Sequence, residues 1–370
     1  MSANQPIWVT DPTVLASRLA TRPQRVGLDT EFIRERTFWP QLALVQLAIG
    51  EEILLLDPLA PGILDALRPL LLDQSIVKVM HSAGEDLVAF SHACNAAPTP
   101  LFDTQVAAAL GGIAAGIGYQ RLVADLLGVE LAKGQTRSDW LKRPLSAAQL
   151  EYAADDVRYL AGLHDQLSAR LEALDRVAWF EEDCARQVEA AGAEPEPWPH
   201  LSARGAQHVD GPARIRLLRL LRWREARARS HDRPRNWVLD NELAFELARR
   251  PPESQAQLQR RLDSHPKAPH KLAAQIWTAL ETPLADEADA PAPPTVEADR
   301  KTVREMQEAV STLSASLGIP DGVLASRKRL EQLLETGRWP DALEGWRREQ
   351  LEPVLAPLIA RQLPSTDPVV

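Results

Sequence analysis

Between Arg25 and Asp57 the chain alternates short apolar stretches with brief polar breaks: RVGLDTEF, LALVQLAI and EEILLLD. Runs of this length, with alternation and β-branched residues, predict three strands, and the short connections predict an antiparallel meander. A helix is expected from Pro61 to Leu72, because proline is favoured in the first helical turn. IVKVM reads as a further buried strand that delivers the chain into a helix over HSAGEDLVAFSHAC. Beyond Asp103 the pattern turns helical in TQVAAAL, GYQRLVADLLG, SDWLKRPLS and the long AAQLEYAADDVRYLAGLHDQLSARLEAL. Strands followed by helices, with some alternation between, predict a mixed sheet flanked by helices over residues 1–190.

The remaining chain is helical and punctuated by proline. Residues 191–210, containing AGAEPEPWPHLSARG, read as a connector. Residues 211–280 form a first helical domain, with Leu217, Leu218, Leu220, Leu221 and Trp223 as apolar positions and breaks at Pro251-Pro252 and Pro266 to Pro269. The acidic, Pro- and Ala-rich stretch 281–298 is expected to be a flexible linker. Residues 299–370 form a second helical domain, punctuated at Gly318-Ile319-Pro320 and Gly337. The two helical parts share an order of helix, proline turn, helix and tryptophan-containing segment, the pattern of a degenerate repeat.

Composition narrows the function classes. A chain of 370 residues suits two or three domains. No apolar run approaches the roughly 18 to 20 residues of a membrane span, and the N-terminus lacks the basic and apolar regions of a signal peptide. Cys94 and Cys184 have no CxxC spacing and are expected to be reduced thiols of a cytoplasmic protein. The net charge of -9 speaks against a nucleic-acid partner. The average hides an asymmetry, however. Arginine occupies positions 214, 216, 219, 222, 224, 227, 229, 233 and 235, against only Glu225 and Asp232 between them.

Five residues carry candidate chemistry. Asp29 and Glu31 stand two apart at the end of a strand, so both carboxylates share one face. Two acids beside Val26 and Leu28 are costly unless something neutralises them, or unless the strand has ended and both are solvated. Tyr152 and Asp156 stand four apart on a helix and also share a face. Asp155 is turned about 100° away by the helical repeat and is expected to be a solvated neighbour. Asp86 lies just inside a helix, where Glu85 and Asp86 alike complement the helix dipole; spacing alone does not choose between them.

DTEF on a strand, GEDL in the middle and YAADD on a helix together resemble the DEDD superfamily of 3′→5′ exonucleases, in its tyrosine branch. FDTQ at 102–105, GYQRLV at 118–123 and SDWLKRPL at 138–145 are similar to the ribonuclease D group in particular. The resemblance covers residues 5 to 175. It implies an α/β exonuclease domain with a ribonuclease H-like mixed sheet flanked by helices, in which Asp29, Glu31, Asp86 and Asp156 hold two divalent ions, Mg²⁺ or Mn²⁺. Tyr152 would orient the attacking water. Hard, oxygen-only ligands suit these ions, and without them the acids should repel one another and be partly protonated. No Cys/His cluster suggests zinc, and no GxxxxGK[ST] loop suggests a nucleotide cofactor or a helicase.

GPARIRLLRLLRWREARARSHDRPRNWVLDNELAFELARRPP resembles the HRDC domain, a helical module of helicases and ribonuclease D proteins, and residues 299–365 look like a second, diverged copy. Two small all-α HRDC-like domains are therefore expected after the exonuclease domain. The arginines would bind RNA backbone, or else form a solvated face or pair with the acidic first domain. Phe32, Trp39 and His81 lie beside the site motifs. Phe32 would stack on the terminal base or pack in the core, and His81 would contact substrate or serve as a hydrogen-bonded turn residue. Lys133, Gln135, Arg137 and Ser138 form a polar loop that would contact substrate phosphates, or else a solvated loop with Ser138 capping the following helix. The expected activity is a metal-dependent 3′→5′ exoribonuclease acting on RNA with an accessible 3′ end and releasing nucleoside 5′-monophosphates, with tRNA precursors the substrate implied by resemblance. A DNA exonuclease and a non-catalytic RNA-binding protein are the competing readings.

Overall fold

The computed structural model describes residues 5–132, 134, 138–203, 205–265, 267–291 and 299–361. In chain order the elements are β1 (Ile7–Val9), α1 (Pro12–Leu19), β2 (Arg25–Ile33), β3 (Gln41–Ile49), β4 (Glu52–Leu56), α2 (Ile63–Leu72), β5 (Val77–Met80), α3 (Gly84–Cys94), β6 (Leu101–Asp103), α4 (Thr104–Leu110), α5 (Tyr119–Leu127), α6 (Ala147–Arg158), α7 (Leu160–Ala173) and α8 (Val177–Ala191). These are followed by α9 (Gly211–Ser230), α10 (Arg235–Val238), α11 (Asn241–Arg249), α12 (Gln255–Asp263), α13 (Ala273–Glu281), α14 (Arg300–Leu317), α15 (Asp321–Leu324), α16 (Arg327–Thr336) and α17 (Trp346–Ala360). The chain divides into two units. One comprises Met1–Ile33, Pro40–Ala193 and Glu297–Val370, the other Arg34–Trp39 with Glu194–Val296.

The first unit is built on a mixed sheet of order β1-β4-β3-β2-β5-β6. The expected meander β2-β3-β4 is antiparallel, while β1, β5 and β6 add in parallel. Gly27 opposes Ala48 across β2 and β3. A Cβ on Gly27 would stand 3.2 Å from Ala48 Cβ and 3.3 Å from both Leu160 Cδ1 and the Val157 carbonyl. This small-residue pair lets the junction of α6 and α7 approach the sheet. By strand alternation Asp29 and Glu31 share the Gly27 face. Thr30 faces the other way, and its hydroxyl donates to Asp86 on α3.

Three local expectations are corrected. SDWLKRPLS is not a helix but a chain of turns. There Arg143 donates to both Asp57 oxygens at 2.7 and 2.9 Å, to Ala43 O at 2.7 Å and to Trp140 O at 2.7 Å. The segment is thereby stapled to the sheet, an arrangement that a helix would not allow. The long helix expected after Ser146 breaks at Tyr159, whose backbone N–H donates to the Tyr119 hydroxyl at 3.2 Å. The acidic stretch 281–298 was expected to be flexible throughout. Within it Asp286 and Glu287 are instead tied to Arg222 and Arg219 at 2.6 Å each. Residues 292–298 lie outside those described.

The C-terminal helices α14–α17 belong to the first unit. Met306, Val310, Leu351 and Leu355 join its hydrophobic core. Arg347 and Trp346 Nε1 both reach Asp183 on α8, and Trp346 stacks on Trp179 with centroids 4.5 Å apart. The second unit packs Leu217, Leu220 and Leu221 of α9 against Leu243, Leu247, Leu258 and Ile276. Asp210 caps α9 and Asp240 caps α11 through their side chains.

Candidate active site

Two strand acids, one acid from α3 and one from α6 are brought into mutual electrostatic range. Asp29 is half-buried, and its carboxyl is pushed well above the ordinary range, by desolvation first and then by Asp86, Asp156 and Glu31. Burial, Asp156 and Asp86 raise Glu31 to about 8. Asp86, only 8% exposed, rises to about 7 through burial, against the opposing hydrogen bonds from Thr30 and its own backbone N–H. Asp156 rises to about 7, again chiefly through burial, while the bond donated by the Tyr152 hydroxyl acts against the rise. Among the described residues no lysine or arginine figures among the influences on these four groups.

Four clustered, at least half-buried acids without a lysine or arginine partner among the described residues form a donor set in want of counter-charge. They are neighbours rather than a closed cage, since among the described residues no group of three or more acids, histidines or cysteines is drawn in far enough to enclose an ion. The set still fits divalent magnesium or manganese, which take oxygen ligands and retain several waters. A cation would both offset the repulsion and make full ionisation affordable.

The local structure settles the choice of acid on both helices. Asp86 is selected over Glu85 by burial, as Glu85 points to solvent. The entry to α3 is held by the FDTQ segment: Asp103 accepts from Ser82 N and Ala83 N at 3.0 Å each and from Gln105 N at 2.8 Å. Ser82 takes a left-handed conformation in this turn, with φ 57°. Asp155 is not the solvated neighbour expected; it is half-buried and bonds Arg158 at 2.5 Å. Asp156 remains directed toward the other acids.

Tyr152 donates to Asp156, and its phenol is raised strongly by burial and then by Asp156, Glu31 and Asp29. It therefore stays protonated and available as a donor. Trp140 lies beside it, with ring centroids 6.0 Å apart and planes at 33°. The Gly134 backbone lies so close to the ring that a Cβ there would overlap it.

The expected substrate contacts fare differently. Phe32 is half-buried and packs against the core. His81 lies 2.8 Å from Thr104 Oγ1 and donates through Nε2 to Ile117 O at 3.0 Å. Burial lowers its pKa, so the ring is a neutral spacer between the β5 and α5 turns. Trp39 lies in the second unit, edge-on to Phe38 and 5.2 Å below the Arg229 guanidinium. Arg137, Lys133 and Gln135 lie outside the described residues, whereas Ser138 is inside them. Sequence reasoning missed Thr30, Gly27, Trp140 and Tyr119. The polar Gln46 inside the apolar LALVQLAI was also overlooked, though its sequence context is itself a signal.

The arginines of α9 and α10 are largely engaged within their own unit. Arg216 donates to Ala248 O, Arg224 to Asn241 and Arg227 to Gln275. Arg229 and Arg235 share Glu225, and Arg219 and Arg222 hold the acidic pair described above. A simple solvated face is thus replaced by an internally compensated one.

Mixed sheet, acid cluster and phenol define the class as a 3′→5′ exonuclease. The 3′-5′ exonuclease family model matches residues 7–172, and the HRDC domain model matches residues 215–279. Ribonuclease D of Xanthomonas oryzae pv. oryzae is 55% identical over 357 residues, covering 96% of this chain and 98% of the relative. Ribonuclease D of Pseudomonas paraeruginosa is 37% identical, covering 93% and 95%. The crystal structure of Escherichia coli RNase D, described as an exoribonuclease involved in structured RNA processing, superposes with a TM-score of 0.84 at 31% identity, covering 97% of this chain and 99% of that one. The chain belongs to the ribonuclease D family. It is accordingly a 3′→5′ exoribonuclease dependent on divalent metal, with RNA as its substrate.

Proposed function

We propose that this exoribonuclease trims the 3′ ends of tRNA precursors and other structured RNAs in the cytoplasm. Its catalytic set is Asp29, Glu31, Asp86, Tyr152 and Asp156. The carrying observation is the group of four carboxylates, Asp86 buried and Asp29, Glu31 and Asp156 half-buried, raised by desolvation and by one another and without a lysine or arginine partner among the described residues, with the Tyr152 phenol beside Asp156. Asp29, Glu31, Asp86 and Asp156 would hold two Mg²⁺ or Mn²⁺ ions. When bound, such ions activate water and stabilise a leaving 3′-oxygen. Tyr152, kept protonated and oriented by Asp156, holds the water in line with the terminal phosphodiester. Thr30 donates to one oxygen of Asp86, and the other would be available to hold an ion. Hydrolysis releases nucleoside 5′-monophosphates.

Residues 211–280 act as an auxiliary HRDC module whose arginines follow the RNA backbone by charge, largely without reading sequence. The diverged helical segment 299–370 serves mainly to support the catalytic unit, an assignment based on the core it shares there. The test uses a tRNA precursor with a 3′ extension and an unstructured RNA of equal length, each assayed with Mg²⁺ and with Mn²⁺. Stepwise shortening of the precursor to its mature end, abolished in Asp29→Asn and Asp156→Asn, is expected. Wild-type turnover in either variant removes that residue from the site; failure to shorten the precursor removes the tRNA assignment.

A further inference from the structure

Gln46 sits in the middle of β3, directly across the ladder from Asp29 on β2 and beside Leu55 on β4. Directly opposed residues of an antiparallel pair project from the same face, with Cβ atoms about 5 Å apart. The Gln46 side chain is completely buried, and neither its amide nitrogen nor its amide oxygen has a hydrogen-bond partner. Its other neighbours on that face, Leu44, Ala48 and Leu55, are apolar, and Gly27 stands diagonally opposite. Asp29 and, diagonally, Glu31 are the polar groups within its reach on the sheet.

A buried amide with no partner costs stability, and native proteins rarely retain one without use. The Asp29 carboxyl directly across the ladder is an acceptor facing the same side of the sheet, and Gln46 has two N–H groups to offer it.

We infer that Gln46 is a positioning residue for the metal site, its amide N–H bonding the Asp29 carboxylate oxygen and holding that ligand in orientation when divalent cation is bound. The inference rests on the reading of Asp29 as a metal ligand. Gln46 touches neither substrate nor cation; it acts through Asp29.

This role has a signature that simple core filling does not share. Replacing the unpartnered amide by an apolar group of similar shape removes a buried polar burden, so the metal-free protein should keep or gain stability. Metal affinity should nevertheless fall, as it does when groups that orient ligands are removed. Full-length wild type, Gln46→Leu, Gln46→Met and Asp29→Asn are titrated with Mn²⁺ by calorimetry, and each is melted in chelator. Gln46→Leu and Gln46→Met are expected to bind Mn²⁺ about 10- to 100-fold more weakly while melting no lower than wild type without metal. Met is included because it matches the length of Gln should Leu pack poorly. Binding within twofold of wild type in both Gln46 variants, with Asp29→Asn impaired, overturns the role of Gln46 alone. Unimpaired binding in Asp29→Asn overturns the ligand assignment and this inference with it.

Discussion

Neutralising one catalytic acid should stabilise the metal-free enzyme while abolishing its activity, and Glu31→Gln is the cleanest case. Burial, Asp156 and Asp86 raise the Glu31 carboxyl from 4.5 to about 8, and no hydrogen bond contributes to the shift. Because the folded protein holds this proton more tightly than the unfolded chain, no penalty exists below pH 4.5. The penalty grows as pH rises and is complete above about pH 8. At roughly 1.4 kcal/mol per tenfold in proton affinity, the full difference amounts to about 5 kcal/mol. That is a ceiling, because the repulsion is shared with two neighbours that also titrate and the side chain keeps some solvent. A retained gain of about 2 kcal/mol, at roughly 2–4 °C per kcal/mol for a domain of this size, gives about 4–8 °C. Calorimetric melting in chelator should therefore show Glu31→Gln above wild type by that margin at pH 8.5, with the gap nearly closed at pH 4.5. Adding Mg²⁺ should raise the wild type more than the variant. A variant that melts lower than wild type at pH 8.5, or a gap equal at both pH values, would refute the charge-repulsion account.

Other outcomes follow from the same geometry. Tyr152→Phe removes the bond to Asp156 and the donor to water, so single-turnover rate should fall about 10²- to 10⁴-fold while RNA affinity changes little; the reverse pattern in paired rapid-quench and binding assays would exclude a water-orienting role. Gly27→Ala places a methyl 3.3 Å from the Val157 carbonyl, and overpacking there should cost about 1–3 kcal/mol and lower kcat by displacing Asp156; urea unfolding with wild-type stability and activity would show that the sheet and α6 have room to spare. The double variant Asp286→Asn, Glu287→Gln should release Arg219 and Arg222, tightening RNA binding and steepening the slope of log affinity against log salt by about 1.4; an unchanged slope in fluorescence anisotropy would mean that these arginines do not meet phosphate.

Much of the fold was legible because local patterns and tertiary outcome agree. RVGLDTEF, LALVQLAI and EEILLLD each have strand length and apolar bias, and short polar breaks leave them little choice but to pair as neighbours. The misread segments are those where a distant contact overrides the local pattern. SDWLKRPLS carries helix-tolerant residues, but Arg143 is committed to Asp57 and the Ala43 carbonyl. The run through Tyr159 looks like one helix until the Tyr119 hydroxyl takes the backbone N–H there. The acidic stretch around Asp286 has a disordered composition, yet opposite charges on α9 hold part of it. None of these partners lies within one helical turn in sequence, so no local window contains them.

The site divides in the same way. Sequence by itself paired Asp29 with Glu31 and Tyr152 with Asp156, because strand and helix periods depend only on local backbone geometry. It also set Asp156 apart from Asp155, for the same reason. Resemblance had already placed the two pairs in one site and chosen Asp86 over Glu85; the tertiary structure supplies the physical ground, with Asp86 buried and Glu85 exposed, and it alone shows Gln46 unpartnered opposite Asp29. The partial protonation expected of the metal-free acids has its physical cause there too, since a carboxyl is raised by burial and by neighbours brought together from distant parts of the chain. Periodicity is a property of the backbone, whereas burial and repulsion depend on distances that exist only once the sheet and its helices have packed.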